Sequence, residues 1–147
     1  MILFRNKEYF EWVENWKNGF SPLNFDCDSF EKAFEVGFKL LLFFDEVEWR
    51  FSSSKRGVHF RVLKNGKQLY LKTEKSIYLR MIFGDDLERI AWDLFKYYNN
   101  DGPIGRLFDT KNGKRASEWK KLDVKSLLLF FKLSVNEKNY NVYRDGC

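Results

Sequence analysis

The sequence predicts an α+β domain in which helices flank a mainly antiparallel sheet. Apolar residues recur with a helical period of 3.6 over residues 6–18 and 28–41, and the period changes to two between residues 46 and 72. An Asn-Gly dipeptide interrupts the alternating stretch, and this pair is a strong signal for a tight hairpin. A chain of 147 residues without a linker-like segment is expected to form one domain, residues 1–147.

The N-terminal part of the chain is predicted to contain two helices. In the first, residues 6–18, Tyr9, Trp12 and Trp16 share one face, and a glycine follows its end. The second helix, residues 28–41, begins with the capping-box pattern Asp28-Ser-Phe-Glu31. Its end stays open, because residues 39–44 fit a buried strand as well as a helix.

A three-stranded meander is predicted over residues 46–72. Val47, Trp49 and Phe51 alternate with charged residues, as expected for a half-buried strand. The next strand repeats the pattern and places His59 and Arg61 on the face opposite its valines and phenylalanine. The dipeptide Asn65-Gly66 tolerates the positive φ angles of a type I′ turn, and residues 68–72 form the third strand.

The remaining elements carry weaker patterns. Residues 76–83 are predicted as a helix ended by Gly84, with Asp85 or Asp86 capping the next segment. Residues 87–98 fit a helix or a strand, and both interpretations stay open. A second Lys-Asn-Gly-Lys sequence predicts another hairpin over residues 106–119, which extends the sheet region to residues 46–119, and a C-terminal segment follows over residues 123–147.

The charge distribution favours a polyanionic partner. The net charge is +5, but residues 1–48 hold ten acids against five bases, whereas residues 49–147 hold 21 bases against 11 acids. Nucleic acid is the commonest partner of such a basic region. No apolar run reaches 18 residues and the N-terminus lacks a signal-peptide pattern, so we expect an intracellular, cytoplasmic protein. Cys27 and Cys147 are expected to be free thiols, and two cysteines with one histidine cannot form an all-Cys/His zinc site.

Residues 52–60, with the sequence SSSKRGVHF, form the candidate phosphate-binding turn and hold the only histidine. Hydroxyls, cations and a glycine that lets backbone approach a ligand are what such a turn needs. Further basic residues follow, interleaved with Phe60 and Tyr70, and a sheet that presents cations and aromatics can neutralise phosphates and stack bases. The predicted phosphate contacts are Ser53, Ser54, Lys55, Arg56, His59, Arg61, Lys64 and Lys67.

The strand before this turn carries acids that share a face with His59 and Arg61 if the meander forms. Asp45, Glu46 and Glu48 are candidate ligands for a divalent metal. The same acids are also explained by a solvated sheet face whose charges pair across strands. The sequence leaves both interpretations open.

The segment Ser53-x-x-x-Gly57-x-His59 resembles a motif of archaeo-eukaryotic primase catalytic subunits. The resemblance implies nucleotide contact for Ser53 or Ser54, Arg56 and His59. It also implies Mg²⁺ or Mn²⁺ held by upstream acids at positions 45, 46 and 48 and by a later aspartate. In that interpretation the catalytic residues are Glu48, His59 and Asp93. The wider pattern through residues 79–93 is similar to small uncharacterised proteins of archaeal viruses and plasmids, which implies a mobile element. Separately, lysine outnumbers arginine and glutamine occurs once, a bias that favours a thermophilic source.

A third constellation lies on the second predicted hairpin. Asp109 followed by Glu118-Trp-Lys120 is the arrangement of restriction-type nucleases, although a surface hairpin explains these residues equally well.

The function predicted from the sequence is nucleic-acid or nucleotide binding in replication or regulation of a mobile element, on a sheet that resembles the RNA-recognition arrangement. The alternative is a primase-like nucleotidyltransferase or a nuclease that depends on a divalent metal. A third hypothesis is a structural or partner-binding protein, with Trp12 and Trp16 at its interface.

Overall fold

The computed structural model describes residues 2–107, 110–111 and 113–145, with side chains for residues 7–107 and 113–138. This part of the chain forms helices and antiparallel strands, so the α+β prediction is confirmed. The helices are α1 (Ile2–Lys17), α2 (Phe30–Phe43), α3 (Thr73–Phe83), α4 (Leu87–Tyr98) and α5 (Val124–Asp145). The strands are β1 (Phe20–Pro22), β2 (Asn24–Cys27), β3 (Val47–Phe51), β4 (Val58–Lys64), β5 (Lys67–Gln68), β6 (Tyr70–Lys72), β7 (Thr110–Lys111), β8 (Lys114–Arg115) and β9 (Lys120–Lys121).

The central sheet has the strand order β2-β4-β3-β9, and β5 pairs with β4 to complete a tight hairpin. All of these pairings are antiparallel. Helix α2 connects β2 to β3, and β4 lies between these two strands. A second ladder joins β1 to β6, and β7 pairs with β8 in a third.

Helices α2 and α5 cover one face of the central sheet. The sheet contributes Phe25, Phe60 and Trp49 to the core, and the Trp49 ring meets the Phe130 ring of α5 edge-on at 4.9 Å. Side chains alternate between the two faces of a strand. The residues between the core positions therefore project from the opposite face of the sheet, which α2 and α5 leave uncovered and which we call the open face.

Several sequence predictions are confirmed at the level of elements. The helical interpretation holds for residues 39–43 and for residues 87–98, both of which had a strand alternative. Gly84 ends α3 with φ 102, and Asp86 caps α4 by accepting a hydrogen bond from the Glu88 backbone N–H. The hairpin turn is also as expected, with φ 52 at Asn65 and φ 76 at Gly66.

The third strand of the meander departs from the prediction. Only Lys67–Gln68 pairs with β4, whereas Tyr70–Lys72 turns away and pairs with Phe20–Pro22. The Gln68 side-chain amide donates to the Leu23 and Leu69 carbonyls at this point and so joins the two ladders. Strands β1, β2 and β9 were not predicted, because each has four residues or fewer and too little alternation to detect.

The C-terminal third also differs in detail. Among the described residues of the second hairpin, Thr110–Lys111 pairs with Lys114–Arg115, and the predicted C-terminal segment is the long helix α5. Cys27 is a buried, free thiol, and Cys147 lies outside the described residues. Among the described helices, none has the length and apolar character needed to cross a membrane.

Candidate functional site on the open face of the sheet

Two rows of polar residues cross the open face of the central sheet. The antiparallel register aligns Asp26, His59 and Arg50 in one row and Asn24, Arg61 and Glu48 in the next. His59 and Arg61 lie on the central strand β4, so each is flanked on both sides. The expectation that the histidine, the arginines and Glu48 share one face is therefore confirmed by the register.

His59 lies between a cation and a carboxylate. Arg50 Nε donates a hydrogen bond of 3.0 Å to His59 Nδ1, and His59 Nε2 lies 3.6 Å from an oxygen of Asp26. Because Nδ1 accepts, the proton of the neutral ring sits on Nε2 and points toward the carboxylate. His59 and Arg50 are both buried, so the row forms a fixed polar layer within the sheet.

Asp26 supplies the carboxylate of this row, and its surroundings raise the pKa of that group. Burial is the main reason that the pKa of Asp26 is raised to about 6; the Arg89 guanidinium opposes this shift and the Asp85 carboxylate contributes to it. Asp26 therefore changes its protonation state near neutral pH, directly beside His59.

Trp119 covers both arginines of the open face. Its ring lies over the guanidinium groups of Arg50 and Arg61, each 4.3 Å from the ring centroid. Arg61 also pairs with Glu48, with Nη2 and Oε1 separated by 2.6 Å, and its side chain keeps 30% exposure. The face thus presents Arg61 at its surface and encloses Arg50 beneath the indole.

The turn between β3 and β4 uses its hydroxyls to hold itself together. Ser52 Oγ accepts from the Gly57 backbone N–H, and Ser54 Oγ accepts from the Arg56 N–H. A Cβ added at Gly57 would lie 2.3 Å from the Cys27 carbonyl oxygen. The close approach that Gly57 permits is therefore to the backbone of β2.

The predicted phosphate contacts separate into two groups along β4. Residues 53–56 lie before the strand, and Ser53 is buried there while Arg56 is exposed. Lys64 and Lys67 lie at the far end of β4, directly opposite each other in the register of the hairpin. A seven-residue strand spans roughly 20 Å, so one small ligand cannot contact both groups.

A cleft of about 840 Å³ opens at the hairpin end of β4, between helix α1 and the β4–β5 hairpin. It contains four cations, three aromatic rings and two acids. These residues are Lys7, Arg61, Lys67 and Arg106; Tyr9, Trp12 and Tyr70; and Glu8 and Glu11. Of the residues predicted for phosphate binding, Arg61 and Lys67 line this cleft.

The aromatic residues of the cleft have fixed positions. Trp12 Nε1 donates a 2.9 Å hydrogen bond to the Ile104 carbonyl, and the Arg106 guanidinium lies 5.6 Å from the Trp12 ring centroid. Burial, together with the nearby Glu11 and Glu8 carboxylates, raises the pKa of Tyr70 to about 12. The Tyr70 hydroxyl is therefore protonated at neutral pH and can donate. No local signal in the sequence indicated that α1 would meet the hairpin.

The residues predicted as metal ligands or catalytic groups have other partners. Glu46 accepts hydrogen bonds from the backbone N–H groups of Asn65 and Gly66 at 2.7 and 3.0 Å and so closes the hairpin turn. Glu48 pairs with Arg61, while Asp93 lies on α4 with its carboxylate 2.8 Å from Arg80 Nη2. Asp45 is exposed. Within the described ranges, no three His, Cys, Asp or Glu side chains are grouped to hold a metal ion.

The second predicted hairpin site is described only in part. Asp109 lies outside the described residues, Glu118 is exposed, and Lys120 pairs with Trp49 in the sheet.

A buried charge network, which sequence reasoning missed, lies behind the open face. Arg80 is fully buried and contacts Asp85 at 2.7 Å, and Arg89 contacts the same carboxylate oxygen at 2.7 Å. The other Asp85 oxygen accepts from the Asp26 backbone N–H at 2.7 Å, which ties this network to the His59 row.

Comparisons with known proteins return no relative for this arrangement: neither a protein family, nor a curated protein, nor a solved structure matches the chain.

Proposed function

We propose that the protein binds single-stranded nucleic acid or a nucleotide in the cleft between α1 and the β4–β5 hairpin. The observation that carries the proposal is the combination of cations and aromatic rings in one cleft beside the open sheet face. Aromatic rings stack on bases of any sequence, and lysines and arginines neutralise the backbone phosphates. The context that we propose is replication or regulation of a mobile element.

The size of the cleft favours a flexible strand or a nucleotide over a rigid duplex. A volume of about 840 Å³ lies within the range of small-molecule sites, roughly 300–1,000 Å³. Tyr9 is 46% exposed and offers a ring to a base, and stacking contributes about 1–3 kcal/mol per base.

The β4–β5 hairpin supplies the phosphate-binding charge. Lys64 and Lys67 face each other across the ladder, and like charges placed directly opposite destabilise a strand pair. Of these two lysines, Lys67 lines the cleft, and a phosphate bound beside Lys67 would reduce this repulsion. Arg61 adds a guanidinium that is already oriented by Glu48 and Trp119.

The test is a fluorescence-anisotropy titration with labelled single- and double-stranded DNA and RNA at two salt concentrations. We expect single strands to bind more tightly, with an affinity that falls as salt rises. Lys67→Ala should weaken binding and lower the salt dependence by about one counterion, and Tyr9→Ala should weaken it with little change in that dependence.

Lys39→Ala is the matched control, because Lys39 is an exposed lysine on α2, which covers the opposite face of the sheet. Equal losses for Lys39→Ala and Lys67→Ala, or no binding at low salt, would overturn the proposal. A parallel titration with Mn²⁺ tests the primase-like or nuclease alternative, which requires product formation that depends on the metal and on Glu48 or His59.

A further inference from the structure

The side of the α2–α5 layer that faces away from the sheet exposes an apolar surface, which we call the outer helical face. It consists of two residues of α2 and four of α5, each between 38% and 65% exposed: Phe38, Leu42, Val124, Leu128, Phe131 and Val135. The four α5 residues follow each other at spacings of four, three and four, which places them in one stripe along the helix.

The outer helical face is continuous across the two helices. The Phe34 ring lies 5.7 Å from the Phe131 ring of α5 and 6.3 Å from the Phe38 ring, on which it stacks. At the far end, Lys138 Nζ lies 3.2 Å from the Glu31 carboxylate, so the helices run antiparallel. Phe38 and Leu42 consequently flank the part of the α5 stripe formed by Leu128 and Val124.

The area of the outer helical face matches what a small dimer requires. From the exposed fractions, its six side chains present roughly 600 Å² of apolar surface, the upper end for the largest patch on a monomer. Two copies packed face to face would bury about 1,200 Å², the lower limit of a standard specific interface.

We propose that the outer helical face binds a second copy of this chain, with the two-fold axis parallel to α2 and α5. This proposal is independent of the proposed function. Rotation about such an axis places α2 of one copy over α5 of the other at an unchanged height along the helices. Phe38 and Leu42 of each copy then cover Leu128 and Val124 of the other, and a four-helix layer forms between the two sheets.

Charge complementarity favours this axis over one perpendicular to the helices. Glu35 on α2 and Lys132 on α5 are exposed at the border of the outer helical face. They lie at a similar height, because Phe34 contacts Phe131. The parallel axis brings Glu35 of one copy beside Lys132 of the other, twice per dimer. The perpendicular axis would instead pair each helix with its own copy and separate these charges.

Sedimentation equilibrium of the full chain tests the proposal, because the monomer mass is 17.8 kDa. We expect a dimer of twice this mass at micromolar concentrations and a monomer for Leu128→Lys. Leu87→Lys is the matched control, since Leu87 is 75% exposed on α4, outside the outer helical face. Circular dichroism establishes that both variants fold.

A charge exchange tests the predicted axis. Glu35→Lys and Lys132→Glu should each weaken the dimer several-fold, and the double variant should restore it, because the pair is reformed with opposite polarity. A monomer at all concentrations, as expected if another protein or a membrane surface occupies the face, would overturn the proposal. Dissociation of the dimer by Leu87→Lys but not by Leu128→Lys would also overturn the proposal.

Discussion

At the residue scale, Asp26 joins the open face to the buried charge network. Its carboxylate lies 3.6 Å from His59 Nε2, and its backbone N–H donates to Asp85 at 2.7 Å. Burial and the neighbouring Asp85 charge disfavour the ionised carboxylate, which is why the pKa of Asp26 rises from 3.8 to about 6. The folded protein therefore holds a proton there that the unfolded chain has already released.

The raised pKa of Asp26 predicts the sign of a pH effect on stability. Between pH 3.8 and about 6 the folded state binds more protons at this site than the unfolded state, so its contribution to stability falls as pH rises. Asp26→Asn removes the charge. We expect this variant to gain about 1 kcal/mol over the natural protein at pH 8, a value reduced for the partial exposure of the side chain, and little at pH 4.

Urea unfolding at pH 4 and pH 8 measures this difference, with Asp101→Asn as the control for an exposed aspartate that does not affect the pKa of Asp26. The same gain at both pH values would show that the effect of the substitution does not come from the Asp26 charge, and a loss at pH 8 would show that His59 and Arg89 stabilise Asp26 in its charged form.

At the element scale, the structure shows which of two neighbouring polar residues, Asp28 and Ser29, caps the N-terminus of α2. The sequence favoured Asp28 as the first residue of a capping box, but the cap is Ser29, whose Oγ accepts from the Lys32 backbone N–H at 3.1 Å. Ser29→Ala should cost about 1 kcal/mol of unfolding free energy. Asp28→Ala should cost only a few tenths, since it removes a charge near the helix N-terminus.

Thermal or chemical denaturation of both variants checks the assignment of the cap. An equal loss for the two variants, or a larger loss for Asp28→Ala, would contradict it.

The elements that could be predicted from the sequence are those whose signal is local. The alternation in β4 placed His59 and Arg61 on one face, and Gly84-Asp85-Asp86 marked the boundary between α3 and α4. Pairings over long sequence distances could not be predicted in the same way. Strand β9 contributes only Lys120–Lys121 to the sheet, and nothing in these two residues specifies β3 as the partner.

In the candidate site, too, the part with a local sequence signal could be predicted and the part that depends on distant contacts could not. The shared face of His59, Arg61 and Glu48 depends on neighbouring strands of one meander, and the structure contains it. The cleft depends on α1 meeting the hairpin across about 50 residues of sequence, which no pattern indicated. Arg80 was missed because a charged residue within a helical pattern is normally assigned to the solvent face, whereas here it is fully buried.

At the scale of the whole molecule, the buried charge network connects the α3–α4 unit to the sheet. The Asp85 carboxylate forms ion pairs with Arg80 of α3 and Arg89 of α4. It also accepts a hydrogen bond from the Asp26 backbone N–H of β2. Arg80 Nη2 is within ion-pair distance of Asp93, at 2.8 Å, but outside hydrogen-bond geometry, and Nη1 has no hydrogen-bond partner among the described residues. The network thus depends on the balance of its charges more than on saturated hydrogen bonds.

Removing the Arg80 charge from this buried network should destabilise the whole fold. Arg80→Met retains much of the side-chain volume but leaves Asp85 and Asp93 without their buried cation. Removing one partner of a buried ion pair costs about 3–5 kcal/mol, so we expect a loss of this size in urea unfolding. Arg56→Met is the control, because Arg56 is exposed in the turn before β4 and should change stability by less than about 0.5 kcal/mol. A loss below about 1 kcal/mol for Arg80→Met would mean that Arg89 alone compensates both carboxylates. In that case the α3–α4 unit would be held to the sheet by its apolar contacts, and the network would serve only to orient Asp26 beside His59.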